Sequence, residues 1–229
     1  TFRDVNHLSL SADMHGCTLI NSPVSISNRG ILRDCKFSFE NYKGFSDYAI
    51  KNSGLVERCQ FTPGGDVINF VYNDDNGTVR DCHLDTRSPA MFGCNRGLIS
   101  NCSLTCVVSE PDMGLNKMMG AISYNYGTVE DFVGDLRFSY EFDYERFGNN
   151  LKVMCAGAPL CDENTGRLVR CINRSNIINH RAHLWWWCAA VCEDNSGEIT
   201  DCENYGDISV NLNNLNICHE DNDWLYGAF

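Results

Sequence analysis

The chain has 229 residues, 43% of them hydrophobic, with only five prolines and a formal charge of −12. That length and apolar content support a folded chain with a substantial core and exclude a disordered one. The acid excess argues against nucleic acid and against an anionic membrane surface, since both need clustered Lys and Arg. No run reaches the roughly 18 apolar residues of a membrane span, so no membrane insertion is expected.

The chain opens on threonine, which reads as a processed chain or a piece excised from a longer one. One motif then recurs seven times: NRGILRDC (28–35), NSGLVERC (52–59), DNGTVRDC (75–82), NRGLISNC (95–102), NYGTVEDF (125–132), NTGRLVRC (164–171) and NSGEITDC (195–202). Aligned on glycine, every copy carries an aliphatic residue two positions on, from Leu32 and Val56 through to Ile199. Five positions on lies Cys35, Cys59, Cys82, Cys102, Cys171 or Cys202, and Phe132 takes the remaining place. A position shared by Cys and Phe behaves as a buried apolar site.

In a continuous strand, positions two and five would face opposite ways, yet both are apolar. The polar pair between them therefore reads as a corner that resets the alternation. Short strands joined by such corners, at glycine spacings of 24, 23 and 20 residues, are the mark of a β-solenoid. Runs such as VSIS, INFVY and GAIS add a further strand before each motif. The predicted fold is all-β: a single-stranded right-handed parallel β-helix of roughly 8–10 coils, spanning 1–229 as one domain with loop insertions.

The repeat residues then acquire physical roles. Glycine is expected to supply a backbone conformation closed to other residues. Asn28, Asn52, Asp75, Asn95, Asn125, Asn164 and Asn195, two positions before the glycines, are expected to stack as a ladder of side-chain hydrogen bonds. The cysteines form a second, internal stack. Rungs about 4.8 Å apart hold parallel β-carbons wider than a disulfide accepts, so these thiols are expected to be mostly unbridged.

GAISYNYGTVEDF (120–132) and AAVCEDNSGEITDCENYGDI (189–208) resemble the GLUG-type repeats of bacterial surface proteins, and CDENTGRLVRCINRSNI (161–177) is a looser copy. The first half shares mainly N-x-G-x-[ILV]-x-x-C. The resemblance implies a right-handed parallel β-helix in a secreted or surface-attached bacterial protein, and its motif brings no catalytic residues. The cysteine-rich first half departs from the usual pattern and leaves a phage or virus fibre origin open.

The later glycine spacings, 30, 39 and 31, leave room for insertions near 107–119, 135–150 and 178–188, where binding loops would project. Met118 and Met119 in the first either pack on the body or touch a ligand. In the second, Phe138, Tyr140, Phe142 and Tyr144 alternate with charges, which suits a cover for one flank or an acidic-aromatic contact surface. The third holds Trp185, Trp186 and Trp187. As a strand it would place Trp185 and Trp187 on one face, beside His183 or Arg181. Outward, that pair would make a stacking platform for sugar rings or a partner protein; inward, a hydrophobic plug.

His180, His183, Cys188 and Cys192 do not have a standard zinc spacing, and no metal or cofactor is expected. Asp34, Asp81, Asp131 and Asp201 would stack on one exterior edge, the kind of carboxylate row a polysaccharide-cleaving β-helix needs. Arg58, Asn101 and Arg170 share that edge, so it reads instead as a solvated, salt-bridged corner. The preferred expectation is an extracellular or cell-surface module for binding and adhesion, to a glycan or a host or partner protein, or for rigid spacing. The alternatives are a carbohydrate-active lyase or hydrolase, and a self-assembling fibre segment whose uncapped ends associate end to end.

Overall fold

The computed structural model describes residues 1–39, 48–63, 70–86, 92–108, 120–140, 154–157, 160–179, 185–210 and 226–228. Every regular element among them is a β-strand, and every strand pair is parallel. Three long sheets run the length of the body, two of eight strands and one of eleven. The chain visits them in turn, so each coil contributes one strand to each sheet: a parallel β-helix.

The first sheet runs from Leu8–Leu10 to Cys192–Asn195, and the second from Asp13–His15 to Glu198–Thr200. The repeat's aliphatic residue is the centre of each second-sheet strand. Leu32 pairs with Val56, Val56 with Val79, Val79 with Ile99, Ile99 with Val129 and Val129 with Leu168. All six are fully buried, whereas Ile199 on the last rung is exposed. The third sheet begins just after each cysteine and buries its own column, Leu19, Phe37, Phe61, Leu84 and Leu104. The Phe37 and Phe61 rings lie 5.2 Å apart, adding aromatic contact to the burial of area.

The corner sits where the alternation breaks. Asp34, Arg58, Asp81, Asn101, Asp131, Arg170 and Asp201, four residues after each repeat glycine, all have φ between 47° and 54°. One left-handed residue turns the chain so that the following cysteine points inward again. Gly16, with φ 64°, holds this corner in an eighth copy whose aliphatic is Met14 and whose cysteine is Cys17.

The repeat glycines have a different reason from the one expected. Only Gly16 among the described glycines has positive φ. At Gly54, Gly97, Gly127, Gly166 and Gly197, a β-carbon would fall on the carbonyl oxygen of the glycine one coil earlier, well inside van der Waals contact. These positions need the absence of a side chain, not a special φ.

Part of the 135–150 segment continues the third sheet. Val133–Tyr140 pairs with Ser103–Val108 on one side and with Asn176–Asn179 on the other. A separate three-stranded sheet joins Met154–Gly157, Trp185–Ala189 and Tyr226–Ala228.

Candidate functional site

Inside the first sheet an amide row runs along the axis. Asn52 Nδ2 donates to Asn73 Oδ1 at 2.8 Å, Asn73 to Asn95 at 2.8 Å, Asn95 to Asn125 at 2.8 Å, Asn125 to Asn164 at 2.7 Å, and Asn164 to Asn195 at 2.7 Å. Each donor amide also reaches a main-chain carbonyl of the next coil, such as Thr78 O from Asn52. Asn28 and Asp75 lie outside this row, against expectation. In those two copies the turn before glycine is two residues longer, closed by Gly30 N to Ser27 O and Gly77 N to Asp74 O at 2.8 Å. The stacking position is therefore four residues before glycine, where Ile26 and Asn73 stand, and Asn28 and Asp75 are solvent-exposed. Asn173 and Asn204 make a second, two-rung amide pair at 2.8 Å.

The thiol row runs Cys17, Cys35, Cys59, Cys82 and Cys102, is interrupted by Phe132, and resumes with Cys171 and Cys202. All eleven cysteines with described side chains are unbridged. Most of the row is buried, but Cys17 and Cys202 at its two ends are half-buried. Each sulfur caps the carbonyl two residues before it, as Cys59 does Glu57 O at 3.4 Å. Against a lowering hydrogen bond with Cys35, the Cys82 thiol and burial push Cys59 up to about 12, and burial does most of the same for Cys106.

The exterior corner is a paired edge. Arg58 grips Asp34 through two bonds of 2.7 and 2.9 Å, Arg170 grips Asp131 at 2.8 and 2.7 Å, and Asn101 bonds Asp81 at 2.6 Å. The Arg58 hydrogen bonds hold the Asp34 carboxyl down to about 2, and Arg170 lowers Asp131 likewise. Glu57, nearly buried, meets Arg80 at 2.6 Å, Arg58 at 3.0 Å and Arg33 at 3.5 Å. A general acid at neutral pH needs a carboxyl raised by burial or a like charge. Asp34 and Asp131 are shifted the opposite way.

The feature with recognition chemistry lies on the outside of the first sheet. Its outward positions include Ser9, Ser25, Lys51 and Tyr72 on the early coils and Tyr124, Glu163 and Asp194 on the later ones, while Cys94, opposite Tyr72, is buried. Tyr124 and Tyr126 are 43% and 45% exposed, and their rings are parallel within 8° at 6.5 Å. The Arg96 guanidinium from the preceding coil lies 5.2 Å from the Tyr126 ring centre, a cation–π contact, and makes no ion pair with a described residue. Tyr72 packs on Tyr48 at 5.1 Å farther along the same face. Clustered exposed rings on one face are informative, because a contiguous exposed patch marks a contact surface where scattered exposed residues do not. Together these groups form a tyrosine-lined surface with one guanidinium, Tyr72 and Tyr124 on strands of the sheet and Arg96 and Tyr126 in the bends that directly follow Asn95 and Asn125.

Of the residues singled out from sequence, Trp185 and Trp187 fall elsewhere. Trp185 and Trp187 lie on the strand Trp185–Ala189, with Trp185 beside Met154 and Trp187 between Ala156 and Tyr226 in backbone register. Their side chains are outside the described residues, as are Tyr140's side chain and all of Arg181, His183 and Tyr144. Tyr124 and Tyr126 lie within the repeat itself, where SYNYG alternates exposed tyrosines with buried Ser123 and Asn125. That alternation was the available signal. Comparison of the chain with protein-family models, curated proteins and solved structures returns no match.

Proposed function

We propose that this β-helix is an extracellular or cell-surface binding module that holds a carbohydrate chain across the Tyr72–Arg96–Tyr124–Tyr126 face. The supporting observation is the parallel, exposed Tyr124–Tyr126 pair with the Arg96 guanidinium against the Tyr126 ring. Tyrosine offers a flat apolar ring for the C–H face of a sugar and a hydroxyl for its edge, with little side-chain entropy to lose. The guanidinium adds up to five donors for ring hydroxyls or carboxylates. Parallel strands about 4.8 Å apart hold Tyr72 and Tyr124, and main-chain bonds from Arg96 N to Asn73 O and from Tyr126 N to Asn95 O tie the adjoining bends to the neighbouring coil.

The resemblance of 120–132 and 189–208 to GLUG-type repeats supports a surface or secreted setting. The unbridged thiols are compatible with it, because rung spacing resists pairing even where disulfides form readily.

The test is binding of the purified protein to a polysaccharide array, followed by calorimetry on any glycan retained. The Tyr124→Ala/Tyr126→Ala variant should lose at least about tenfold in affinity, as expected for truncated aromatic anchors. Retained affinity in that variant with loss in Trp185→Ala/Trp187→Ala would move the site to the Trp185–Ala189 strand. Failure of the parent to bind any glycan would refute the carbohydrate reading.

A further inference from the structure

Two cysteine pairs lie on the last two coils, one on the first sheet and one where the thiol row resumes beyond Phe132. Cys161 and Cys192 are register partners on the last two rungs of the first sheet. Cys171 and Cys202 occupy the same two coils one corner on, with Cys171 N donating to Cys202 Sγ at 3.4 Å. Each pair is closed on its inner side by an apolar residue of the coil before: Ile122 stacks on Cys161, and Phe132 precedes Cys171. In each, the inner thiol is buried and the outer one, Cys192 or Cys202, is half-exposed.

The spacing decides what such a pair can do. Adjacent rungs lie about 4.8 Å apart and the two side chains project in parallel. A disulfide needs sulfurs about 2.05 Å apart, so the pairs do not close. Metal–thiolate bonds are about 2.3 Å, and two of them in line span nearly the rung distance. An ion midway between the sulfurs would then lie at right angles to the parallel side chains, a natural direction for a sulfur lone pair. Soft thiolates select Cu(I) and its relatives. We propose that Cys161–Cys192 and Cys171–Cys202 each bind one thiophilic monovalent ion of the Cu(I)/Ag(I) class in linear two-coordinate geometry.

Binding forms two sulfur–metal bonds and releases two thiol protons to solvent, with no change of oxidation state. The resulting unit carries one negative charge, so it needs water on one side. The half-exposed outer sulfurs supply that. Hydrogen bonding with the inner thiols also lowers Cys192 and Cys202 below the ordinary thiol range. The interior rungs Cys59 and Cys82 lack solvent, and the thiol of the following rung and burial hold each protonated.

The test is anaerobic titration of the reduced, full chain with Ag(I) against excess glutathione as competitor. A Cys17→Ser background removes the other half-exposed end of the long row. Native mass spectrometry counts retained ions, and X-ray absorption counts sulfur neighbours. Cys192→Ala and Cys202→Ala should each lose one ion and the double variant two, with unchanged circular dichroism. Each ion should show two sulfurs, and each should release close to two protons at pH 6. Equal ion counts in the parent and the folded double variant would overturn the proposal. So would three or more sulfurs per ion, or no ion retained by the parent against glutathione.

Discussion

Asn73 donates its side-chain amide to Asn95 Oδ1 at 2.8 Å, across 22 residues of sequence and one rung of the helix. Both residues are fully buried, and each is the link between the amides above and below. Replacing Asn95 by Ala removes the acceptor for Asn73 and the donor to Asn125 in one step. Buried groups left unpaired cost about 1–3 kcal/mol each, so Asn95→Ala should destabilise by about 2–4 kcal/mol in urea unfolding. Asp75→Ala, at the exposed turn, should stay within about 0.5 kcal/mol. Equal effects at the two positions would contradict the amide row as described.

Gly97 and Gly16 should respond differently to the same pair of changes. A β-carbon at Gly97 would fall on Gly77 O, so both Gly97→Ala and Gly97→Asn should cost about 1–3 kcal/mol or more. Gly16 has φ 64° with open space around it, so Gly16→Ala meets only backbone strain of about 1 kcal/mol. Gly16→Asn should recover most of that, since Asn tolerates the left-handed region. Thermal melts of the four variants separate steric exclusion from dihedral strain.

The corner carboxylates set an acid limit. Asp34 falls from 3.8 to about 2 in the folded chain through its Arg58 hydrogen bonds, and Asp131 and Glu198 are lowered by Arg170 and Arg167. A lowered folded value means the unfolded chain binds protons first as pH falls, so the contribution is whole above about pH 4 and is lost toward pH 2. The urea midpoint should decline through that window. Asp34→Asn should flatten part of the decline and leave the midpoint near neutral pH little changed, because the pair is exposed.

The buried thiols set an alkaline limit with the opposite sign. Cys59 and Cys106 rise from 9.0 to about 12, so the unfolded chain ionises first as pH climbs. Stability from these groups is complete below about pH 9 and is lost as pH rises toward 12. Among the described cysteines, a disulfide reagent at pH 8 should label Cys17, Cys192 and Cys202 rapidly. Cys35, Cys59, Cys82, Cys102 and Cys171 should wait for unfolding. Rapid labelling of Cys59 in the native protein would show that the thiol row is not internal.

The parallel β-helix was legible in the chain itself, because its causes are local. Each coil needs an apolar residue at the second-sheet centre, one left-handed residue at the corner and a small apolar residue just after it. Those demands recur at fixed offsets from a glycine, as from Leu32 through Asp34 to Cys35. The eighth copy at Met14–Cys17 escaped notice because its glycine holds the corner instead of the position before the strand. The glycine's own cause was misread for a related reason: the obstacle is the carbonyl of another coil, invisible within one repeat.

Register and surface were decided only by stacking. By offset from glycine Asp75 is the ladder member, and only the longer turn closed on Asp74 O puts Asn73 opposite Asn52 instead. Tyr126 gains its cation from Arg96, a residue on another rung, and the parallel tyrosine pair joins Tyr124 on the strand to Tyr126 in the bend that follows it. Sequence alone determined the shape of one coil, since backbone sterics and apolar burial act within some twenty residues. The neighbours of each coil, and with them the amide row, the thiol pairs and the tyrosine face, were determined by which rung lies above which.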